Sequence, residues 1–195
     1  GCIDTPSKGR VEIEGKDVSG QSPDDLADVR ARTIGFIFQT FNLLPVLSAF
    51  ENVEYPLLQM RELSAPERRE RVNHYLSKVG LAKYAHHRPN QLSGGQRQRV
   101  AVARALVTHS RVVLADEPTA NLDRRTGESI LNLMRDLNQN DGTTFVFSTH
   151  DKRVMNRADR LVRMEDGQIT ALGLRRDGAW KFVQDRRKPE DDPEI

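Results

Sequence analysis

Leu92-Ser93-Gly94-Gly95-Gln96 decides how this chain is read. A serine and two adjacent glycines open a helical run, Gln96 to Val107, and present bare backbone N–H groups where a phosphate can approach closely. The run holds Ala101, Ala103, Ala105 and Leu106, all good helix formers. Its macrodipole therefore turns a positive end toward whatever anion docks on the serine and glycines. The same five residues would also serve as a plain Gly-Gly turn before a helix, and the rest of the chain has to decide between the two.

Downstream, Arg111-Val112-Val113-Leu114-Ala115 is a short apolar run that ends in Asp116-Glu117-Pro118. Apolar residues at successive positions predict a parallel-type strand buried on both faces. Open α/β sheets place their ligands at the carboxyl ends of such strands. Asp116 is thus a candidate for holding Mg2+, directly or through water, and Glu117 for polarising a water that attacks phosphorus. A simple strand-end turn is the other use of Asp-Glu-Pro. Asn121-Leu122-Asp123 comes next, and His150 follows Ser148-Thr149 directly after the β-rich run Thr143 to Phe147.

Taken together these residues resemble the nucleotide-binding domains of ABC transporters. Leu92 to Gln96 resembles the signature motif, Val112 to Glu117 Walker B, Asn121 to Asp123 the D-loop and His150 the switch histidine. Gln39, in Gly35-Phe36-Ile37-Phe38-Gln39, sits where the family carries its Q-loop glutamine. The resemblance covers about residues 1 to 172. The stretch Phe38 to Pro45, followed by Glu51-Asn52-Val53, is similar to the LolD/MacB/FtsE group.

The resemblance implies an α/β fold, a P-loop-type ATPase core of parallel strands with a helical subdomain inserted at about residues 48–107. The ATPase domain would span residues 1–183, leaving 184–195 as a disordered tail. It also implies two copies paired head to tail around two ATP molecules. Ser93, Gly94, Gly95 and Gln96 would meet the γ-phosphate held by the opposite copy, and Asp116 and Gln39 would complete the Mg2+ shell. Glu117 would orient water in line, His150 would steady the γ-phosphate, and Asp123 would bridge the two copies. The further partner implied is an integral membrane permease, which places the chain peripherally on the cytoplasmic face of the cell membrane. A coupling helix of that permease would dock near Phe41 to Leu47, although Phe41, Leu43, Leu44 and Leu47 read equally well as ordinary core. Three functions remain open: an ATPase subunit driving export or lipoprotein release, a nucleotide-gated signalling scaffold, and an inactive truncated module.

One family motif is absent. Nowhere is there a Gly-x-x-x-x-Gly-Lys-Ser/Thr phosphate loop, and the only Gly-Lys pair, Gly15-Lys16, is followed by Asp17 and has Arg10 where the upstream glycine would stand. The expectation is a chain cut just after its phosphate loop, with its first strands also upstream of Gly1, and hence poor ATP binding and marginal stability.

The composition narrows the partners. Its 195 residues suffice for a sizeable core, and 30 basic against 28 acidic residues leave a net charge of +2, which argues against an electrostatic nucleic-acid binder. Cys2 is the only cysteine, so no disulfide forms within the chain. No apolar run approaches a membrane span, and any link to a membrane goes through a partner. His74, His86, His87 and His109 show no metal-ligand spacing.

The remaining patterns predict strands over Arg10 to Glu14 and Thr33 to Phe38, and a helix with Val72, Tyr75, Leu76 and Val79 on one face. A helix over Arg124 to Gln139 buries Ile130, Met134 and Leu137. Asp166-Gly167 reads as a two-residue hairpin turn, and Leu172 to Gln184 as a C-terminal strand or helix.

Overall fold

A computed structural model of the chain describes residues 1–176 and 179–185. It divides into two units, Gly1–Ser148 and Thr149–Ile195.

The first unit opens with a hairpin of β1 (Glu12–Ile13) and β2 (Lys16–Asp17). Its turn residues Glu14 and Gly15 both have positive φ, 51° and 75°, the backbone a two-residue hairpin requires. The expected strand over Arg10 to Glu14 is therefore shorter than its alternation suggests, and the Gly15-Lys16 pair belongs to a tight turn. Helix α1 (Ala27–Thr33) follows and runs directly into β3 (Ile34–Ile37).

The helices α2 (Ala49–Glu54), α3 (Ala65–Lys78) and α4 (Gly94–Leu106) come next. Each starts with a serine whose hydroxyl and main chain are exchanged with the residue three places on: Ser48 with Glu51, Ser64 with Glu67, Ser93 with Gln96. Strand β4 (Val112–Asp116), helix α5 (Arg124–Asp141) and strand β5 (Thr144–Ser148) complete the unit. Helix α5 ends where Gly142 turns left-handed at φ 70°, and Lys78 Nζ pairs with Asp141 Oδ1 at 2.6 Å, tying the far ends of α3 and α5.

Strand β4 lies between β3 and β5, parallel to both, with Ile37 opposite Ala115 and Asp116 opposite Ser148. One face of this sheet, with Ile37, Val113 and Ala115, packs on the buried residues of α2 to α5. Strand β3 approaches α4 so closely that a side chain at Gly35 would run into the carbonyl of Ala105. The other face, with Ile34, Phe36 and Leu114, is met by Cys2, Val18, Leu26 and Val29. Its cover is partial: Val112 and Leu114 stay half-buried and Val146 is 50% exposed, so β4 is not enclosed on both faces as its apolar run predicts.

In the second unit α6 (Lys152–Met155) precedes an antiparallel sheet of β6 (Arg160–Glu165), β7 (Gln168–Arg176) and β8 (Ala179–Asp185). Asp166 and Gly167, at φ 48° and 75°, form the predicted hairpin turn, and the segment from Leu172 is a strand pair. Trp180 and Phe182 lie over Gly173, which has no side chain to keep them away. The strand continues through Gln184 and Asp185, two residues assigned above to the tail; 186–195 lie outside the described residues. Among the described residues no helix is long and apolar enough to cross a membrane.

Candidate functional site

The parallel register brings three of the expected residues to one edge of the sheet. Asp116 ends β4, Glu117 follows it, and Gln39 stands two residues beyond β3, all at the carboxyl ends of the strands. Asp116 and Gln39 are exposed and Glu117 is half-buried. The Glu117 N–H donates to Ser148 O at 2.9 Å, and the residue adopts φ 42°. That left-handed backbone is unfavourable for a side chain with a Cβ, and such strain gathers where side chains must be aimed.

Gln39 is held by its main chain. It is a central residue of a turn closed by the Phe41 N–H on Phe38 O at 3.1 Å, and its own carbonyl accepts from Asn121 Nδ2 at 2.9 Å. The loop of Asn121 to Asp123 is thereby attached to the strand that carries Gln39.

The glycine-opened helix forms as its sequence predicts, starting at Gly94 with Ser93 as its cap. Ser93 Oγ accepts from the Gln96 N–H at 3.3 Å, and Gln96 Oε1 accepts from the Ser93 N–H at 2.8 Å. The N–H groups of Gly94 and Gly95, in the first turn, have no acceptor within the helix. The glycines also have a local packing role. A Cβ on Gly94 would lie 3.4 Å from Leu122 Cδ2, and one on Gly95 would run into Thr126 Cγ2. Asp123 caps α5, its Oδ1 accepting from the Thr126 N–H at 3.0 Å. Hydrogen bonds from Thr126 hold its carboxyl below the usual aspartate range. His150 belongs to the second unit, two residues beyond β5, and is exposed.

Three residues around this edge hold main chain in ways the sequence pattern does not reveal, although Asn52 lies in the stretch similar to the LolD/MacB/FtsE group. Gln98 on α4 is fully buried, and its Nε2 donates to Pro118 O at 2.7 Å, the carbonyl just after Glu117. Asn52 is fully buried as well. It donates to the carbonyls of Leu44, Leu47 and Ser48 and accepts from the Leu44 N–H, which fixes the loop beyond Gln39. Arg104 reaches the same loop from α4. All three bind main-chain atoms, which leave no trace in residue identity.

Among the described residues no group of three or more His, Cys, Asp or Glu gathers to hold a metal. An exposed aspartate and a glutamine at one edge nevertheless fit Mg2+, which takes hard oxygen donors, usually one or two carboxylates together with phosphate oxygens and water.

Residues 3–120 match the ABC transporter family. The chain belongs to that family. It is 47% identical over 180 residues to the lipoprotein-releasing system ATP-binding protein LolD of Anaeromyxobacter dehalogenans, covering 92% of this chain and 75% of LolD. It is also 47% identical over 177 residues to the macrolide export ATP-binding/permease protein MacB of Brucella melitensis, covering 91% of this chain but only 27% of MacB. The fold matches the dimeric ATP-binding cassette MJ0796 of Methanocaldococcus jannaschii, solved in a post-hydrolysis state with ADP and Pi. There the TM-score is 0.78 at 43% identity, over 89% of this chain and 76% of that one. The chain is thus an α/β ATP-binding cassette of the LolD/MacB type, in a family whose activity is ATP hydrolysis.

Proposed function

We propose that this cassette carries the signature side and the hydrolytic edge of a shared nucleotide site and drives a membrane permease in export or lipoprotein release. ATP turnover also needs a phosphate loop, which these 195 residues do not contain. The observation that carries the reading is the convergence of Gln39, Asp116 and Glu117 at the carboxyl edge of the sheet, with Glu117 in a left-handed backbone.

Mg2+ supplies charge neutralisation at the phosphates when bound, and Asp116 and Gln39 offer it oxygen atoms. Glu117 accepts a hydrogen bond from the attacking water and holds it in line with the phosphorus. Ser93, Gly94, Gly95 and Gln96 present the N-terminus of α4 to the γ-phosphate bound by a second copy, and Asp123 faces that copy. His150 steadies the phosphoryl group. Because each site takes parts from two copies, nucleotide favours the closed pair and hydrolysis releases it, which is how a joined permease is moved between states.

The permease contact rests on exposed apolar residues beside Gln39. Leu44 and Val46 are 38% and 72% exposed, whereas Leu43 packs on the core and Phe41 is half-buried, so the first pair offers the docking surface. This partner would hold the cassette at the cytoplasmic face of the membrane.

The test is Glu117→Gln in a protein with a relative's phosphate-loop segment fused ahead of Gly1. The variant should bind ATP, lose turnover and accumulate as a dimer in size-exclusion chromatography. Hydrolysis near the unsubstituted rate would remove Glu117 from this role.

A further inference from the structure

Helix α4 does more than present its N-terminus. Two of its arginines, Arg97 and Arg104, reach the stretch that follows Gln39. Arg104 Nη2 donates to Phe41 O at 2.8 Å and Nη1 to Asn42 O at 2.5 Å. The Arg97 guanidinium lies over the Phe41 ring, 5.3 Å from its centroid.

The two residues so held are unusual. Phe41 and Asn42 adopt φ 63° and 47° in succession, and neither is glycine. Consecutive left-handed residues with a Cβ do not persist without outside support. The turn supplies part of it: the Phe41 N–H bonds Phe38 O, the Asn42 N–H bonds Thr40 O at 2.8 Å, and Thr40 Oγ1 donates to Asn42 Oδ1 at 2.8 Å. Arg104 takes the two remaining carbonyls.

Its guanidinium is half-buried, and desolvation pushes its pKa below the usual arginine value. A cation taken partly out of water to meet two neutral carbonyls is a costly way to stabilise a helix side chain. It is an effective way to fix a loop, because the planar fork holds both oxygens in one geometry, which a lysine cannot do.

We propose that Arg104 is a positioning residue for Gln39: its fork pins the left-handed Phe41–Asn42 pair to the signature helix, so that Gln39 and the Ser93–Gly95 terminus of that helix move as one body. The turn that Phe41 closes contains Gln39, so releasing Phe41 and Asn42 releases it. The proposal rests on the role given to Gln39 above.

The experiment compares Arg104→Met and Arg104→Lys in the protein with a relative's phosphate-loop segment fused ahead of Gly1. Hydrogen exchange is followed over the peptide 38–44, and the ATPase is titrated with Mg2+ at saturating ATP. Arg104→Met should raise exchange in that peptide about tenfold, the loss of charge-assisted hydrogen bonds, with Arg104→Lys in between. The Met variant should also need several-fold more Mg2+ for half-activation and lose kcat, with KM for ATP little changed. A lower Tm in both variants with unchanged exchange and Mg2+ dependence would mean a merely structural side chain, and would overturn the proposal. If the Met variant does not fold, the Lys variant decides, since it keeps the charge and loses the fork; unchanged exchange there is equally fatal. Gln39→Ala separates the two ideas. If it leaves the Mg2+ dependence untouched, the role of Gln39 fails, while the exchange data still judge the Arg104 clamp.

Discussion

The side-chain amide of Asn121 donates to the main-chain carbonyl of Gln39 at 2.9 Å, joining loops 82 residues apart in the chain. The bond lies at an exposed edge, so its worth is in placement more than in stability. Asn121→Ala should lower stability by less than about 1 kcal/mol and loosen the turn at Gln39. Asn121→Asp should loosen it further, because a carboxylate then faces a carbonyl oxygen. Hydrogen exchange at residues 38–41 checks the order, and exchange unchanged in both variants would show that the bond contributes nothing.

Gln98 is fully buried, and its Oε1 has no hydrogen-bond partner while its Nε2 holds Pro118 O. Gln98→Met keeps the volume and loses the donor, and should cost about 1 kcal/mol, since an unsatisfied acceptor disappears together with the bond. Gln98→Ala adds a cavity and should cost about 2–4 kcal/mol. Chemical denaturation measures both; a Met variant as unstable as the Ala variant would assign the loss to the hydrogen bond alone.

Gly95 packs against Thr126 with no room for a methyl group. Gly95→Ala raises helix propensity by about 1 kcal/mol, so any net destabilisation comes from the contact. The variant should be destabilised, and Thr126→Ser, which removes the opposing Cγ2, should restore most of the loss. A thermal-melt double-mutant cycle reads the coupling, and strict additivity would disprove it.

Asp123, Glu51 and Glu67 all cap helices, and hydrogen bonds from Thr126, Ser48 and Ser64 respectively lower their pKa values. A carboxyl depressed in the folded state favours folding above its unfolded value, and that contribution is lost as pH falls through the folded value. Tm should therefore be flat near neutrality and fall below roughly pH 4. Asp123→Asn should make the acid limb shallower, and a limb of unchanged steepness would exclude the Asp123 cap from it.

What was readable in the sequence was what local chemistry writes there. Ser93 and Gln96 announce a helix start, Asp166-Gly167 a hairpin, and the Val112 to Ala115 run a strand with a carboxylate at its ligand end. Helix α1 left no periodic signal, because none of its residues is buried. The Glu14-Gly15 turn was hidden for a different reason: Arg10 to Glu14 alternates as a single strand would, and the reversal at Glu14 falls inside that pattern. At the site Asp116 and Glu117 could be placed from the end of a strand, and Gln39 from the resemblance to the family's Q-loop position. Gln98, Asn52 and Arg104 could not, since their partners are carbonyls of distant residues and any residue type carries a carbonyl.

The contact between Gly35 and the Ala105 carbonyl leaves no side-chain cushion between β3 and α4. Backbone against backbone is a bearing that neither compresses nor opens by a rotamer change. The helix cannot draw nearer to the strand there. Arg104 is the residue next to this contact, so the stretch of α4 that meets β3 backbone to backbone also holds the Phe41 and Asn42 carbonyls. Any residue other than glycine at position 35 would shift the axle itself, and with it every distance set from the helix.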